Sequence, residues 1–100
     1  MSLDTIIARI EKKLKMAAHI KARIKLDFGD DGLLLIDGTQ SPPVITQENG
    51  EADTTFICPI TVFQGILDGT QDPTMAYMMG RLKIKGSMGI AMKLNSILED

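Results

Sequence analysis

Between Arg81 and Lys85 the side chains alternate strictly, with Arg81, Lys83 and Lys85 on one side and Leu82 and Ile84 on the other, and at Gly86 the alternation stops. A period of two is that of a half-buried strand. From Ser87 the apolar residues fall at Ile90, Leu94, Ile97 and Leu98, with Met88, Ala91 and Met92 beside them, which is helical spacing on a helix greasy over most of its girth. A strand therefore passes through one glycine into an apolar C-terminal helix. Such a helix must cover something, and whether it closes a core or a cavity decides the function.

The rest of the chain supplies the layer to be covered. Leu3, Ile6, Ile7, Ile10, Leu14 and Ala17 follow helical spacing, with Ser2 or Asp4 as a cap and a Glu11 to Lys15 pair on the outer face. From Ile20 the period is two: Ile20, Ala22, Ile24, Leu26 and Phe28 alternate with charged residues, giving a strand with one wet face. Gly29-Asp30-Asp31-Gly32 is a turn, and Leu33 to Ile36 form the antiparallel return strand, apolar on both faces and so expected to be covered on both, by helices or by a ligand. After Ser41-Pro42-Pro43, residues Val44 to Thr46 read as a short strand. Asn49-Gly50 reads as a tight turn into a return strand from Asp53 to Cys58. Thr61 is placed to cap a short helix ended by Gly69, and Asp72-Pro73 opens another in the order of cap then first-turn proline. The sum is an α+β domain over residues 1 to 100, a five-stranded, mostly antiparallel sheet covered by helices.

Composition excludes several kinds of function. One cysteine and one histidine cannot build a disulfide framework or a zinc site, so no metal and no cofactor is expected. His19 has no second histidine and Cys58 no partner base, which argues against an enzyme. Asp30 and Asp31 lack the alternating ligands of a calcium loop and are turn residues. With four aromatics and no tryptophan, stacking on single-stranded nucleic acid is not expected either. No apolar run reaches the ~20 residues of a membrane span, no secretory signal pattern begins the chain, and a cytoplasmic location is expected.

Charge is unevenly distributed. Residues 1 to 25 carry seven basic and two acidic groups, residues 26 to 80 nine acidic and none basic, and residues 81 to 100 four basic and two acidic. Arg9, Lys12, Lys13 and Lys15 on the wet side of the first helix are candidates for docking on anionic lipid; their plain reading is a solvated helix face. Arg81, Lys83 and Lys85 are either a solubilising strand face or contacts for phosphates such as those of coenzyme A.

Five of the seven methionines, Met75, Met78, Met79, Met88 and Met92, fall within eighteen residues. Methionine conforms to irregular shapes and poorly specified ligands, yet such clusters are more often core filler. The run Gly80-Arg81-Leu82-Lys83-Ile84-Lys85-Gly86-Ser87-Met88-Gly89-Ile90-Ala91-Met92-Lys93-Leu94, with the segment from Ala52 and Asp72-Pro73 before it, resembles the sterol carrier protein type 2 family, the non-specific lipid-transfer proteins. The resemblance implies an apolar tunnel between sheet and helices for fatty acids, fatty acyl-CoA, phospholipids or sterols. It places Leu82 and Ile84 on the tunnel's strand wall and Met88, Ile90, Ala91, Met92 and Leu94 on its helix wall. Phe28, Ile36, Phe56, Phe63, Met75, Met78 and Met79 are the further lining candidates. Where family members often carry Gln before the glycine at Gly80, this chain has Met79, which removes a hydrogen-bonding group and favours plain acyl chains. The chain ends Leu98-Glu99-Asp100 and not in a peroxisomal tripeptide, so peroxisomal import is not expected. The expected partners are a lipid and, transiently, a membrane surface, with no oligomeric state implied. The competing reading is an accessory module of an enzyme complex that uses the same apolar groove.

Overall fold

The computed structural model describes residues 3–15, 20–40 and 43–98, with the side chain of Lys15 left aside. Its elements are α1 (Leu3–Lys15), β1 (Arg23–Asp27), β2 (Leu33–Asp37), β3 (Val44–Thr46), β4 (Thr54–Ile57), α2 (Ile60–Asp68), α3 (Pro73–Met78), β5 (Lys83–Gly86) and α4 (Met88–Leu98). The strands form one mixed sheet in the order β3-β2-β1-β4-β5. Its register sets Ile24 opposite Ile36, Leu26 opposite Leu34 and Phe56, and Phe56 opposite Ile84. Because side chains alternate across a sheet, these residues share one face, and that face with the inner sides of the helices makes the core.

The β1–β2 pair is antiparallel, as the alternation and the Gly29 to Gly32 turn predict. The Asn49-Gly50 hairpin is not formed. Strand β4 pairs with β1 in parallel and β3 stays on the far side of β2, so residues 47–53 cross the sheet. Tertiary contacts hold that crossing in place. Lys25 Nζ donates to Asn49 Oδ1 at 2.8 Å, and Gly50 lies over Leu35 so closely that a Cβ there would stand 3.0 Å from Leu35 Cδ2. Loop and helices between them give β2 the two-sided cover its apolar run demands: Leu34 and Ile36 are buried, Leu33 and Leu35 half-buried.

Helix ends follow local chemistry with one exception. Asp72 caps α3 by accepting from Thr74 N at 2.8 Å, Pro73 takes the first helical position, and Gly69 closes α2 in the left-handed region at φ 80°. Thr61 does not cap α2, which begins one residue earlier behind Pro59 with no side-chain cap. The extended backbone of Pro59 already sets the helix entrance, and its carbonyl accepts from Val62 N and Phe63 N. Ser87 supplies the cap of α4, its Oγ accepting from Ile90 N at 3.3 Å. The expected Ser2 cap and His19 lie outside the described residues, as does the Lys15 side chain of the Glu11 to Lys15 pair.

Candidate functional site

Helix α4 lies across β4 and β5 and against α1. Its inner stripe, Ala91, Leu94 and Leu98, is at most 1% exposed, and beneath it Phe56 and Leu26 are fully buried. At the other end of the sheet Phe28 leans on Phe63 of α2, ring centroids 5.4 Å apart and tilted by 52°. Of the residues the sequence proposes as tunnel wall, Phe28, Ile36, Phe56, Phe63, Leu82, Ala91 and Leu94 thus share one continuous buried layer, and Ile84 and Ile90 pack half-buried against it. Among the described residues one polar atom intrudes on α4: Asn95 Oδ1 is buried and has no hydrogen-bond partner there.

The methionines behave differently. Met75, Met78, Met79, Met88 and Met92 are 43 to 75% exposed. Two local causes explain this. Helix α3 spans only six residues and buries just Pro73 and Ala76, which leaves its other side chains outside. On α4, Met88 and Met92 stand one turn apart on the stripe away from Ala91, Leu94 and Leu98.

Beside this layer a cleft of about 430 Å³ opens at the end of the sheet. Phe28, Ile57, Cys58 and Pro59 give it apolar surface. Asp27, Asp30 and Asp31 supply acids, and Arg81 and Lys83, reached through Gly80 at φ 78°, supply cations. Burial pushes the Cys58 thiol up to about 11, the neighbouring Asp27 charge adding to the effect and the Phe63 backbone hydrogen bond opposing it. That thiol is an inert apolar wall, not a nucleophile. Sequence reasoning missed this cleft, because Asp30 and Asp31 look like turn residues and their opposing cations lie some fifty positions away. A second hollow of about 300 Å³ is lined by the polar set Arg23, Thr39, Glu51 and Asp53 together with Ala52.

The basic side of α1 is partly committed to structure. Arg9 Nη1 lies 2.6 Å from Asp68 Oδ1 at the end of α2. Lys12 is exposed and Lys13 half-buried. Lys85, opposite Thr55, lies outside the cleft that Arg81 and Lys83 border. Among the described residues no group of three His, Cys, Asp or Glu side chains could hold a metal ion, and no helix is long and apolar enough to cross a membrane.

An open five-stranded sheet with helices packed over one apolar face is the architecture of a small two-layer α+β domain. The chain belongs to the SCP-2 sterol transfer family, whose profile matches residues 3–99. It is 63% identical over 48 residues to hydroxysteroid dehydrogenase-like protein 2 of Xenopus laevis, a stretch covering 48% of this chain and 12% of that protein. It is 35% identical over 54 residues to sterol carrier protein 2 of Homo sapiens, covering 54% of this chain and 10% of that one. The matches thus take in about a tenth of the length of these relatives. In three dimensions it is similar to sterol carrier protein 2 of Aedes aegypti in complex with palmitate. There the TM-score is 0.78 at 14% identity, covering 95% of this chain and 92% of the other.

Proposed function

We propose that the protein binds a single acyl-chain lipid non-covalently in the apolar layer between the sheet and α4, and passes it to membranes or enzymes without chemical change. The carrying observation is the buried inner stripe of α4 packed over β4 and β5, in a family that takes its name from sterol transfer. The palmitate held by the Aedes aegypti protein of the same fold supports an acyl chain as cargo. Each buried methylene contributes ~0.8 kcal/mol, so affinity should rise roughly fourfold per methylene until the site is filled. Displacement of a fluorescent fatty acid by saturated acids of increasing length tests this. A steep rise that levels off supports the reading, and affinity independent of chain length, or no binding at all, removes it.

A second reading draws on the relatives. In hydroxysteroid dehydrogenase-like protein 2 the matching stretch is a small part of a longer chain, which suits an accessory role of presenting a lipid to an enzyme. Native mass spectrometry of the freshly purified protein separates the two, since co-purified lipid supports the carrier and a bound partner subunit supports the accessory module.

A further inference from the structure

Strand register holds two opposite charges apart at the end of the sheet. Asp27 of β1 stands opposite Ile57 of β4, which stands opposite Lys83 of β5. Residues in one row share a face, so a carboxylate and an ammonium flank an apolar side chain at two strand spacings, about 9.5 Å. The cleft of about 430 Å³ extends that division, adding Asp30 and Asp31 from the β1–β2 turn beside Asp27, and Arg81 two residues before Lys83. The two walls do not neutralise each other. Among the described residues the ion pairs are Arg9 with Asp68 and Arg23 with Asp37, and none crosses the cleft. Asp30, Asp31, Arg81 and Lys83 are exposed, while Asp27 is half-buried and oriented by Gly29 N, which donates to its Oδ1 at 2.9 Å.

We propose that this cleft binds a zwitterion in which a primary ammonium and a phosphate end a two-carbon arm, the chemistry of phosphoethanolamine. Arg81 offers its planar fork and Lys83 a point charge to the phosphate. The ammonium has three N–H donors to share among the carboxylates opposite. Charged contacts of ~2.8 Å at each end leave a gap between the walls that a two-carbon arm spans and the single carbon of an α-amino acid does not.

Other occupants fit less well. A plain anion would meet three carboxylates beside its two cations. A metal ion is not indicated, since no three of these acids are grouped to hold one. A quaternary ammonium has no N–H to donate and seeks aromatic faces, and the one aromatic ring lining the cleft, Phe28, is only 3% exposed. The zwitterion can arrive free in water or as the head of a single-chain lipid. Only the second source rests on the acyl-chain reading above, with Phe28, which lines the cleft and packs on Phe63 of the buried layer, at the join of head and chain.

The test titrates the full chain with glycerophosphoethanolamine while following backbone amides by isotope-edited NMR. Shifts should centre on Asp27 to Asp31 and Arg81 to Lys83, with a dissociation constant on the order of 1 mM, as exposed charge pairs allow. Glycerophosphocholine, glycerol phosphate and glycine should each bind at least about fivefold more weakly. Asp30→Asn with Asp31→Asn should weaken glycerophosphoethanolamine about tenfold and leave glycerol phosphate no weaker, whereas Arg81→Gln with Lys83→Gln should weaken both. A folding defect does not produce that crossed pattern, and all four side chains are exposed. Palmitoyl lysophosphatidylethanolamine below its micellar concentration should bind at least ~100-fold more tightly than the chainless compound if a lipid carries the group, and equally if the free compound is the source. Failure of palmitate to bind removes the acyl-chain reading and leaves this site standing. The proposal falls if glycerophosphocholine or glycerol phosphate binds as tightly as glycerophosphoethanolamine, if the shifts lie elsewhere, or if neither double variant changes affinity. It also falls if the two double variants lower the melting temperature equally and without adding, because the walls of the cleft then pair with each other.

Discussion

Gly86 lies so close to Asp53 that a Cβ on it would stand 2.4 Å from the Asp53 carbonyl oxygen. The same oxygen accepts from Ser87 N at 3.0 Å, and the Asp53 carboxylate accepts from Arg23 N at 2.9 Å. One residue thus ties β1, β4 and the start of α4 together, at the glycine where the sequence changes period. Gly86→Ala should destabilise by more than ~2 kcal/mol in denaturant unfolding, because a left-handed φ of 95° and a backbone clash add. Gly69→Ala has a similar φ of 80° but open space around it, and should cost only about 1 kcal/mol. Equal losses would show that conformation, not the approach to Asp53, selects the glycine.

The two stripes of α4 should separate in mutagenesis. Leu94→Ala empties a fully buried position and should cost about 2 to 5 kcal/mol, whereas Met92→Ala, 60% exposed before truncation, should stay within ~0.5 kcal/mol. Thermal melts of the two variants decide it, and a large loss at Met92 would mean that its stripe is covered in solution.

Acid titration has a marker in Asp37. Its carboxyl is held below the usual 3.8 by hydrogen bonds from the Thr39 and Gln40 side chains and the Thr39 backbone, with Arg23 helping and desolvation opposing. A depressed folded pKa stabilises above the unfolded value, and that contribution is lost as pH falls below 3.8 through the folded value. Thr39→Val should therefore lower the melting temperature at neutral pH and lose that effect in strong acid. A deficit constant across pH would place the role of Thr39 elsewhere.

Cys58 gives the opposite sign. A thiol raised to about 11 from 9.0 stays protonated in the fold, so its contribution to stability is present below pH 9 and lost between pH 9 and 11. Native protein at pH 8 should react with iodoacetamide far more slowly than the unfolded chain, and comparable rates would contradict the buried setting.

How far the sequence reveals this molecule varies with the range of the contact. Period and capping locate nearly every element, since alternation in Arg81 to Lys85 and the Asp72-Pro73 opening are properties of neighbours. The partner of β4 is not visible that way. Asn49-Gly50 carries a strong local hairpin signal, and only Lys25 and Leu35, distant in sequence, show that the chain crosses the sheet instead. The methionines illustrate a second limit. Composition marks them as apolar, but the shortness of α3 and the outward stripe of α4 put them in solvent. The buried layer from Phe28 to Leu94 was readable in outline because inward residues keep a regular phase. The cleft was not, because its walls come from three segments spread over some fifty positions of the chain.

The parallel pairing of β1 with β4 means that the sheet is two ribbons, β3-β2-β1 and β4-β5, sewn together along Ile24 to Asp27 and Thr54 to Ile57. No short turn clamps that seam, and parallel ladders are slightly weaker per residue than antiparallel ones. Its contacts join residues about thirty positions apart, as do those of β4 with β5, so both pairings should close after the β1–β2 hairpin. Leu26 and Phe56 face each other across it at the floor of the layer under α4.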